Sequence, residues 1–406
     1  MSVVSYIKIS LPNIVKYNFH YIKKLLFLIK SKGLCQEEVD LFQRRKLKES
    51  INNFNKLRGK KSCLLSEINI TTKDNYRKNN SYRSTSKFRV YKSNTGGTTG
   101  NPLNMFKSRR DLAYESAFVD FYLLESGVNV FLPYKSVRIR GDNLTSIYSK
   151  KGFLKHSLSS YKINSETCIA YKDRLKSINP EVIFCYPSSL FLLCKELEAI
   201  NCKSIFKLKV IVFSSEVLYE YQLDLIKKYF KSEYINLFGN TEHTILAVDY
   251  CKGLGFEINP FYSFVESIDG RMITTSFNDN NMPFVRYDGG DLLSFDADKR
   301  AIIQGRSQDV AVGKSGQRYP ITGLIFGQHF EVFTYIKEFN LIQDEKGIVK
   351  FNYYSESKVP EKILETTDEH INNLSNNDIK FIFTWKKERL NRTAAGKLKF
   401  FTTSVN

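Results

Sequence analysis

Hydrophobic residues at helical spacing mark a first stretch near the N-terminus. In residues 21–30, Ile22, Leu25, Leu26 and Ile29 fall on one helical face, with lysines beside it. We expect a helix that packs this face on a core and keeps its lysines in solvent. The same basic helix could instead make a peripheral contact with an anionic membrane surface, and both interpretations stay open.

The pattern predicts a helical N-terminal portion over residues 1–90, which ends before a loop. Across residues 36–57, hydrophobic residues recur every three to five positions. Residues 66–92 are polar and predict irregular structure, and a loop rich in glycine and threonine follows at 93–102.

Strands and helices alternate after the loop. The pattern predicts helices over 109–125, 188–199 and 219–230, and short buried strands over 182–186, 208–213 and 234–238. Strands that alternate with helices are typical of an α/β sheet with parallel segments. We therefore expect an α/β fold whose large N-terminal domain, residues 1–304, holds parallel and mixed sheets.

From about residue 262, the sequence pattern predicts mainly short strands. Strands are predicted over 271–276, 292–295, 349–354 and 380–384, and a helix over 360–374. The polar stretch 305–316 reads as a linker. The sequence therefore predicts a hinge at 305–316 and a small α+β domain over 317–406.

Composition places the chain among globular proteins of the cytoplasm. It has 406 residues, of which 42% are hydrophobic and 25% charged. No apolar run approaches the roughly 20 residues that span a bilayer, and the start does not resemble a secretory signal. None of the seven cysteines forms a CxxC pair or a zinc-like cluster. We expect free thiols and a cytoplasmic protein.

The charge is strongly basic, with 61 lysines and arginines against 42 acidic residues, or +19. Such a charge suits nucleic acid, an anionic membrane or acidic substrates, although an AT-rich coding sequence also produces it. The sequence contains no RNP motif, zinc finger or concentrated basic arm. We therefore expect no nucleic acid partner.

The loop at 93–102 reads Ser-Asn-Thr-Gly-Gly-Thr-Thr-Gly-Asn-Pro. Its glycines allow close approach of the backbone, and its N–H groups and hydroxyls suit phosphate oxygens. No Lys-Ser or Lys-Thr follows the last glycine, which excludes a Walker P-loop. Alone, the loop would also suit a surface turn.

Four further motifs follow the loop in order. They are Phe-Gly-Asn-Thr-Glu at 238–242, Val-Arg-Tyr-Asp-Gly-Gly-Asp at 285–291, Gly-Arg-Ser-Gln-Asp at 305–309, and Asn-Arg-Thr-Ala-Ala-Gly-Lys at 391–397. The series resembles the adenylate-forming (acyl-AMP) superfamily, most of all its phenylacetate–CoA ligase branch with the CapK-like proteins. The resemblance implies a mobile C-terminal lid, ATP and Mg²⁺ as cofactors, and coenzyme A among the acceptors.

The resemblance assigns the loop to the phosphates of ATP. The residues carried over are Thr95, Gly96, Gly97, Thr98, Thr99 and Gly100. Gly96 replaces the family's usual serine. Asn101 replaces the usual lysine, which removes one positive charge from the loop.

The resemblance assigns roles to the next motifs as well. Phe238, with Gly239, would stack near adenine, and Thr241 would contact the α-phosphate. Glu242 would bind Mg²⁺, because hard cations prefer carboxylate oxygen. Asp291 would accept hydrogen bonds from both ribose hydroxyls. Alone, Glu242 would also suit a surface position at a helix start, and Asp291 a turn after two glycines.

The remaining assignments lie at the adenine, at the hinge and on the lid. Ser215 and Glu216 resemble the family's Gly-Glu turn beside adenine. Arg306 would contact ribose or phosphate, and Asp309 would be the hinge. Lys397, the main catalytic candidate with Thr241 and Glu242, would bridge the substrate carboxylate and the α-phosphate and neutralise developing charge. The alternative is that Lys397 has no catalytic role and is one of the many lysines of a basic chain.

The implied activity is ATP-dependent formation of an acyl-adenylate from a small carboxylic acid, followed by transfer to a thiol or an amine. The CapK-like branch implies a role in capsule or O-antigen polysaccharide biosynthesis. Three departures from the family pattern, Gly96, Asn101 and Phe238, support the alternative of a catalytically impaired adenylation-like binding protein. A peripheral membrane protein that acts on lipid-linked sugars is compatible with the enzyme.

Overall fold

The computed structural model describes residues 11–59, 61, 63–78, 90–94, 103–140, 146–253, 255–277, 282–306, 310–321, 324–325, 330–393 and 398–405. The helices of these residues are α1 (Asn13–Ser31), α2 (Gln36–Leu57), α3 (Lys73–Lys78), α4 (Arg109–Glu125), α5 (Cys168–Ile178), α6 (Pro187–Ala199), α7 (Glu220–Tyr229), α8 (Val332–Tyr335) and α9 (Glu361–Leu374).

The strands are, in chain order, β1 (Thr71–Thr72), β2 (Val90–Asn94), β3 (Asn104–Ser108), β4 (Ser136–Arg140), β5 (Tyr148–Lys150), β6 (Lys155–Ser159), β7 (Val182–Cys185), β8 (Phe206–Ser214), β9 (Phe230–Gly239), β10 (Leu246–Asp249), β11 (Glu257–Ile258), β12 (Ser263–Ile268), β13 (Arg271–Ser276), β14 (Tyr287–Phe295), β15 (Ala301–Arg306), β16 (Val310–Val312), β17 (Arg318–Pro320), β18 (Glu338–Glu345), β19 (Ile348–Tyr354), β20 (Lys380–Lys386) and β21 (Phe401–Thr403).

Internal contacts divide the chain into two compact units. The first unit comprises Met1–Tyr134, Gly152–Leu154 and Glu233–Ile303, and the second Lys135–Lys151, Lys155–Ser232 and Gln304–Asn406. The predicted division into a large domain at 1–304, a hinge at 305–316 and a small domain at 317–406 stays a prediction.

The first unit is built on antiparallel sheets. Its main sheet has the order β1-β14-β13-β12, with β15 paired to β14 and β1 joining parallel to β14. A second antiparallel ladder joins β9, β10 and β11. β2 and β3 pair with Asn94 opposite Asn104, so the Gly/Thr loop connects two paired strands. Residues Ile51, Phe54, Tyr76, Met105, Phe284 and Tyr287 lie in one of its cores.

The second unit holds a mostly parallel sheet. β8, β7, β4 and β6 follow one another in parallel, and β5 closes the edge antiparallel to β6. Helices α5, α6 and α7 connect or follow these strands, as parallel strands require crossovers. The predicted α/β class with mixed sheets is confirmed.

The C-terminal part of the second unit is a four-stranded sheet with the order β20-β19-β18-β21 and the helix α9. β18 and β19 form an antiparallel hairpin, and β20 and β21 add in parallel at its two sides. The core of this sheet includes Phe339, Phe351 and Ile371, and the ring of Tyr221 from α7 stacks on Phe333 with centroids 4.7 Å apart.

The N-terminal helix α1 buries a different face from the predicted one. Tyr21, Leu25 and Leu28 are buried, whereas Leu26 is exposed. Lys24 is buried as well, so the expectation that every lysine here stays in solvent is wrong. Burial, followed by the charges of Lys46 and Arg110, lowers the pKa of Lys24 to about 7.

Aromatic rings explain why Lys24 can be buried. Its ammonium lies 4.4 Å from the ring centroid of Phe118 and 5.3 Å from that of Phe27, and it donates to the Phe261 carbonyl at 3.4 Å. The methylene stem of a lysine packs readily on apolar groups, and ring faces attract the cation.

Most predicted elements have their counterpart in the structure. The helix over 109–125 and the strand over 271–276 are confirmed at their ends. Residues 66–92, predicted to be irregular, contain β1 and α3. β14 begins at Tyr287 instead of residue 292, because pairing with β13 extends that far. The predicted linker at 305–316 contains the end of β15 and all of β16.

No helix among the described residues combines the length and the apolar character needed to cross a membrane.

Candidate active site

The turn after β9 is held by Asn240. β9 ends at Phe238 and Gly239, two of the residues assigned to the nucleotide. Asn240 Oδ1 accepts the Thr244 backbone N–H at 2.9 Å, and its Nδ2 donates to Thr244 Oγ1 at 2.7 Å. A side chain at Gly239 would come within 3.3 Å of the Ile245 carbonyl oxygen, which favours glycine there. The two residues assigned to phosphate and metal therefore lie inside a braced turn.

Glu242 is the point where three segments of the first unit meet. Its side chain is buried, whereas neighbouring Thr241 is exposed. Glu242 Oε1 accepts the hydroxyl of Tyr287 on β14 at 3.0 Å. Its backbone carbonyl accepts the ammonium of Lys107 on β3 at 2.8 Å. Both the carboxylate and the backbone of this residue are therefore held from outside the turn.

Burial and the Glu242 carboxylate together raise the pKa of the Tyr287 hydroxyl well above its usual range. The hydroxyl therefore stays protonated and donates a hydrogen bond to the carboxylate. A hydrogen bond to a charged acceptor stabilises a fold by about 1.5–3 kcal/mol. Tyr287 thus fixes the direction of the Glu242 side chain.

Sequence reasoning did not find Lys107 or Tyr287 as partners of Glu242. One signal for Lys107 is present, because Leu103, Met105 and Lys107 alternate along a strand and all three are buried. A lysine at an inward position of a strand needs a partner inside the protein. Tyr287 lies within a recognised motif, but the motif does not say which way its ring points.

Asp291 lies beside the same turn. The residue belongs to β14, and Gly289 separates it from the turn after β9. A Cβ atom at Gly289 would lie 3.6 Å from Asp291 Oδ2 and 3.8 Å from Asn240 Nδ2. The missing side chain at Gly289 therefore leaves space between two of the predicted nucleotide-binding motifs.

Glu216 occupies a junction in the second unit. It follows Ser215, whose backbone is left-handed with φ of 71°. Its carboxylate accepts the Ser188 N–H at 3.2 Å, in the first turn of α6, and the Leu398 N–H at 3.1 Å. Burial raises the pKa of Glu216, and the charge of Arg392 opposes this rise. The Glu216 carboxylate thus connects Leu398, the residue after Lys397, to the start of α6.

The segment around residues 389–393 is anchored by Glu338. Glu338 Oε1 accepts from the guanidinium groups of Arg389 and Arg392, each at 2.6 Å, and Oε2 accepts the Leu390 N–H at 3.0 Å. Burial would raise the pKa of Glu338, but the charges of Arg392 and Arg389 outweigh it and hold that pKa below its usual value. One buried carboxylate therefore holds both arginines.

The same segment is tied to the loop after β6. The Arg389 guanidinium donates to the carbonyls of Tyr161 at 3.1 Å and Ile163 at 2.8 Å, and the Tyr161 hydroxyl donates to the Thr393 carbonyl at 2.8 Å. The segment that leads to Lys397 is thus fastened through both side chains and backbone.

Several predicted site residues carry no structural description. Thr95, Gly96, Gly97, Thr98, Thr99, Gly100, Asn101, Asp309 and Lys397 lie outside the described residues. Arg306 is the last residue of β15, and only its backbone is described. Their assigned roles stay predictions.

Glu242 offers its carboxylate to a magnesium ion in this part of the first unit. Among the described residues, no group of three or more His, Cys, Asp or Glu side chains could hold a metal ion. Mg²⁺ is commonly held by one or two carboxylates together with substrate phosphates. A single oriented carboxylate at Glu242 fits that mode of binding.

Sequence comparison gives one distant relative. No family model matches the chain. Protein CapK of Staphylococcus aureus is 25% identical over 258 residues, which covers 60% of this chain and 57% of CapK. The match therefore spans little more than half the length of that relative.

Solved structures identify the fold. A 2-hydroxyisobutyryl-CoA ligase in the postadenylation state matches with a TM-score of 0.59 at 13% identity, over 97% of this chain and 91% of that one. The anthranilate CoA ligase AuaEII in complex with anthranoyl-AMP matches with a TM-score of 0.50 at 16% identity, over 75% of this chain and 65% of that one. The structure of McyG A-PCP complexed with phenylalanyl-adenylate matches with a TM-score of 0.52 at 13% identity, over 76% of this chain and 64% of that one. The chain has the fold of the adenylate-forming ligases, and the predicted resemblance is confirmed at that level.

Proposed function

We propose that this chain is an AMP-forming acid ligase. It joins a carboxylic acid to ATP as an acyl-adenylate and then passes the acyl group to a thiol or an amine. The observation that carries the proposal is that two strands hold the buried residue Glu242 within an adenylate-forming fold. Lys107 of β3 bonds its backbone carbonyl, and Tyr287 of β14 bonds its carboxylate. A carboxylate held so firmly suits binding of a metal–nucleotide complex.

The nucleotide contacts follow the family assignments. We assign the loop at 95–100 to the phosphates, Phe238 and the Ser215–Glu216 turn to adenine, and Asp291 to the ribose hydroxyls. Arg306 adds a cation for ribose or phosphate. The position of Gly289 between Asn240 and Asp291 supports the assignment of these two motifs to one nucleotide.

Glu242 would hold Mg²⁺ together with the phosphates of ATP. When bound, the ion supplies positive charge that screens the phosphate oxygens from an approaching carboxylate. Tyr287 and Lys107 keep the Glu242 side chain and backbone in place, so that no rearrangement is needed when the nucleotide enters.

In the first half-reaction, a carboxylate oxygen of the acid attacks the α-phosphorus of ATP. The bond from that phosphorus to the bridging oxygen of the β-phosphate breaks, and pyrophosphate leaves with the electron pair. Thr241 donates a hydrogen bond to the α-phosphate, and Lys397 bridges the two anions. A cation between them offsets the repulsion that opposes this step.

In the second half-reaction, a thiol or amine attacks the acyl carbon and loses its proton. The bond from that carbon to the phosphate oxygen breaks, and AMP leaves. We assign the hinge at Asp309 to the turning of the C-terminal domain between the two steps, since a hinge needs only a few residues that change φ and ψ.

The acceptor and the pathway rest on the relatives. The two acid–CoA ligases support coenzyme A, and McyG A-PCP, a neighbour bound to an aminoacyl-adenylate, supports a carrier thiol. The similarity to CapK supports a place in capsule or O-antigen polysaccharide biosynthesis. We place the reaction in the cytoplasm, where ATP is available.

A second candidate function is that of an impaired binding protein with the same fold. The departures at Gly96, Asn101 and Phe238 favour it, because Asn101 in particular removes a cation from the phosphate loop. Such a protein would bind ATP without exchanging pyrophosphate. Binding measured by calorimetry beside the exchange assay separates the two functions.

ATP–pyrophosphate exchange with a panel of aryl, amino, short-chain and uronic acids tests the proposal. We expect at least one acid to support exchange, and Lys397→Ala to abolish it. Lys399→Ala, two residues away, is the matched control and should retain exchange. ATP binding without exchange for any acid would favour the impaired binding protein.

A further inference from the structure

One face of α1 carries apolar side chains that point away from the protein. Val15, Phe19 and Leu26 are exposed to 52%, 67% and 44%. With half-buried Ile22 they recur at steps of four, three and four residues, so they form one stripe along the helix. We call these four residues the outer stripe. The helix has 19 residues and is about 28 Å long.

The opposite face of α1 fixes the helix firmly to α4 of the same unit. The Tyr21 hydroxyl and the Asn13 amide both donate to Asp120 Oδ2, at 2.6 Å and 2.7 Å. At the other end, the Lys32 ammonium lies 2.8 Å from Glu125. Both ends of the helix are therefore held, and the outer stripe is presented by a rigid element.

Cations surround the outer stripe. Lys23 and Lys30 are exposed, and the Lys23 ammonium lies 5.9 Å from the Phe19 ring centroid. Arg109 of α4 donates to the Lys16 carbonyl at 2.6 Å, which brings a further cation to the first turns of α1. The sequence of α1 contains four lysines and no aspartate or glutamate.

We propose that the outer stripe of α1 docks this protein on an anionic lipid bilayer, with the helix lying in the plane of the headgroups. Apolar side chains on one side of a helix and lysines beside them are the combination that such helices use. Lysine stems can run along the apolar surface and place their ammonium groups at lipid phosphates. The cores of protein–protein interfaces are instead depleted in lysine.

Charge complementarity decides between a bilayer and a second copy of this chain. A second copy would bring another helix with exposed lysines and no acid against the first, and like charges would repel. An anionic bilayer meets the same lysines with opposite charge. The contact should be reversible and sensitive to salt, because Lys23 and Lys30 are exposed. The proposal does not depend on the chemistry of the active site.

Flotation of the full chain with vesicles tests the proposal. We expect binding to vesicles made of about equal parts phosphatidylcholine and phosphatidylglycerol, and at least about tenfold less to phosphatidylcholine alone. High salt should weaken the binding. Phe19→Glu combined with Leu26→Glu should reduce it by about tenfold or more, since the stripe loses its apolar area.

The control variant is Phe295→Glu combined with Ile302→Glu. Phe295 and Ile302 lie in the same unit and are 46% and 44% exposed. Their substitution changes the charge of the protein by the same amount. We expect unchanged vesicle binding. Circular dichroism and thermal melting check that each variant folds. Absence of wild-type binding to anionic vesicles, or equal loss in the control, would overturn the proposal. A second overturning result would be a wild type that forms a dimer and does not bind anionic vesicles, together with a Phe19→Glu, Leu26→Glu variant that is a monomer.

Discussion

At the scale of single residues, the structure explains how Glu242 is held by side chains distant in sequence. Lys107 follows the Gly/Thr loop and reaches the Glu242 carbonyl, and Tyr287 reaches its carboxylate. One bond fixes the backbone of the turn and the other fixes the side chain. The carboxylate that we assign to the metal is therefore positioned before any nucleotide binds.

Replacement of Tyr287 by phenylalanine tests this positioning. Tyr287→Phe removes the hydroxyl that donates to Glu242 and keeps the ring in the core. We expect a loss of about 1.5–3 kcal/mol in the free energy of unfolding, because the acceptor is a carboxylate. We also expect the Mg²⁺ concentration for half-maximal ATP–pyrophosphate exchange to rise, because the carboxylate is then free to turn.

Tyr76→Phe is the matched control for that variant. Tyr76 is a buried tyrosine in the same core, and its hydroxyl donates to the Pro283 carbonyl at 2.9 Å. We expect a loss of about 0.5–1.5 kcal/mol in the free energy of unfolding and an unchanged Mg²⁺ dependence. A shift in Mg²⁺ dependence of equal size in both variants would contradict the specific role of Tyr287.

At the scale of elements, one buried carboxylate joins the segment at 389–393 to the C-terminal sheet. Glu338, the first residue of β18, accepts from Arg389, Arg392 and the Leu390 backbone. Because Glu216 also accepts the Leu398 N–H, both flanks of the predicted catalytic lysine are tied down. The position of that lysine depends on residues that do not take part in the chemistry.

Glu338→Gln should loosen this segment. The change removes the charge that both arginines share, and breaking a buried ion pair costs about 3–5 kcal/mol. We expect faster cleavage by trypsin at Arg389 and Arg392. Glu356→Gln is the matched control, because Glu356 pairs with Lys337 at 2.6 Å while 58% of its side chain is exposed. That change should cost less than about 1 kcal/mol and leave trypsin cleavage unaltered.

The pH dependence of the same junction follows from the pKa of Glu338, which the two arginines hold below its usual value. A carboxylate with a lowered pKa in the folded state adds stability above its unfolded pKa, and that stability is lost as the pH falls through the folded value. Fluorescence of Trp385, the one tryptophan of the chain and part of β20, can follow the loss. We expect wild type to show an acid transition that is absent in Glu338→Gln, whereas identical profiles would contradict the assignment.

At the scale of the whole molecule, the sequence predicted elements well where the pattern was local. The helix over 109–125 and the strand over 271–276 have the predicted ends, since their side chains repeat with a clear period. The motif order likewise predicted the adenylate-forming fold. Local pattern could not predict that Lys24 is buried, because the Phe118 ring and the Phe261 carbonyl that contact its ammonium lie far along the chain.

The same limit applies to the candidate site. The motifs predicted Glu242 and Asp291 as site residues. They could not predict that Lys107 contacts Glu242 or that Asn240 lies near Asp291, because both contacts depend on which strands pair. Asp291 suited a turn after two glycines, and it lies in a strand because β13 pairs with β14 along that stretch. Long-range pairing, which no short window of sequence contains, decides these contacts.

The most direct test of the central claim follows the oxygen atoms of the acid. An acid that supports exchange is labelled with heavy oxygen in its carboxylate and turned over with ATP and the acceptor, and the released AMP is examined by mass spectrometry. If the carboxylate attacks the α-phosphorus, AMP must carry one labelled oxygen. Unlabelled AMP, or label in inorganic phosphate beside ADP, would contradict the formation of an acyl-adenylate.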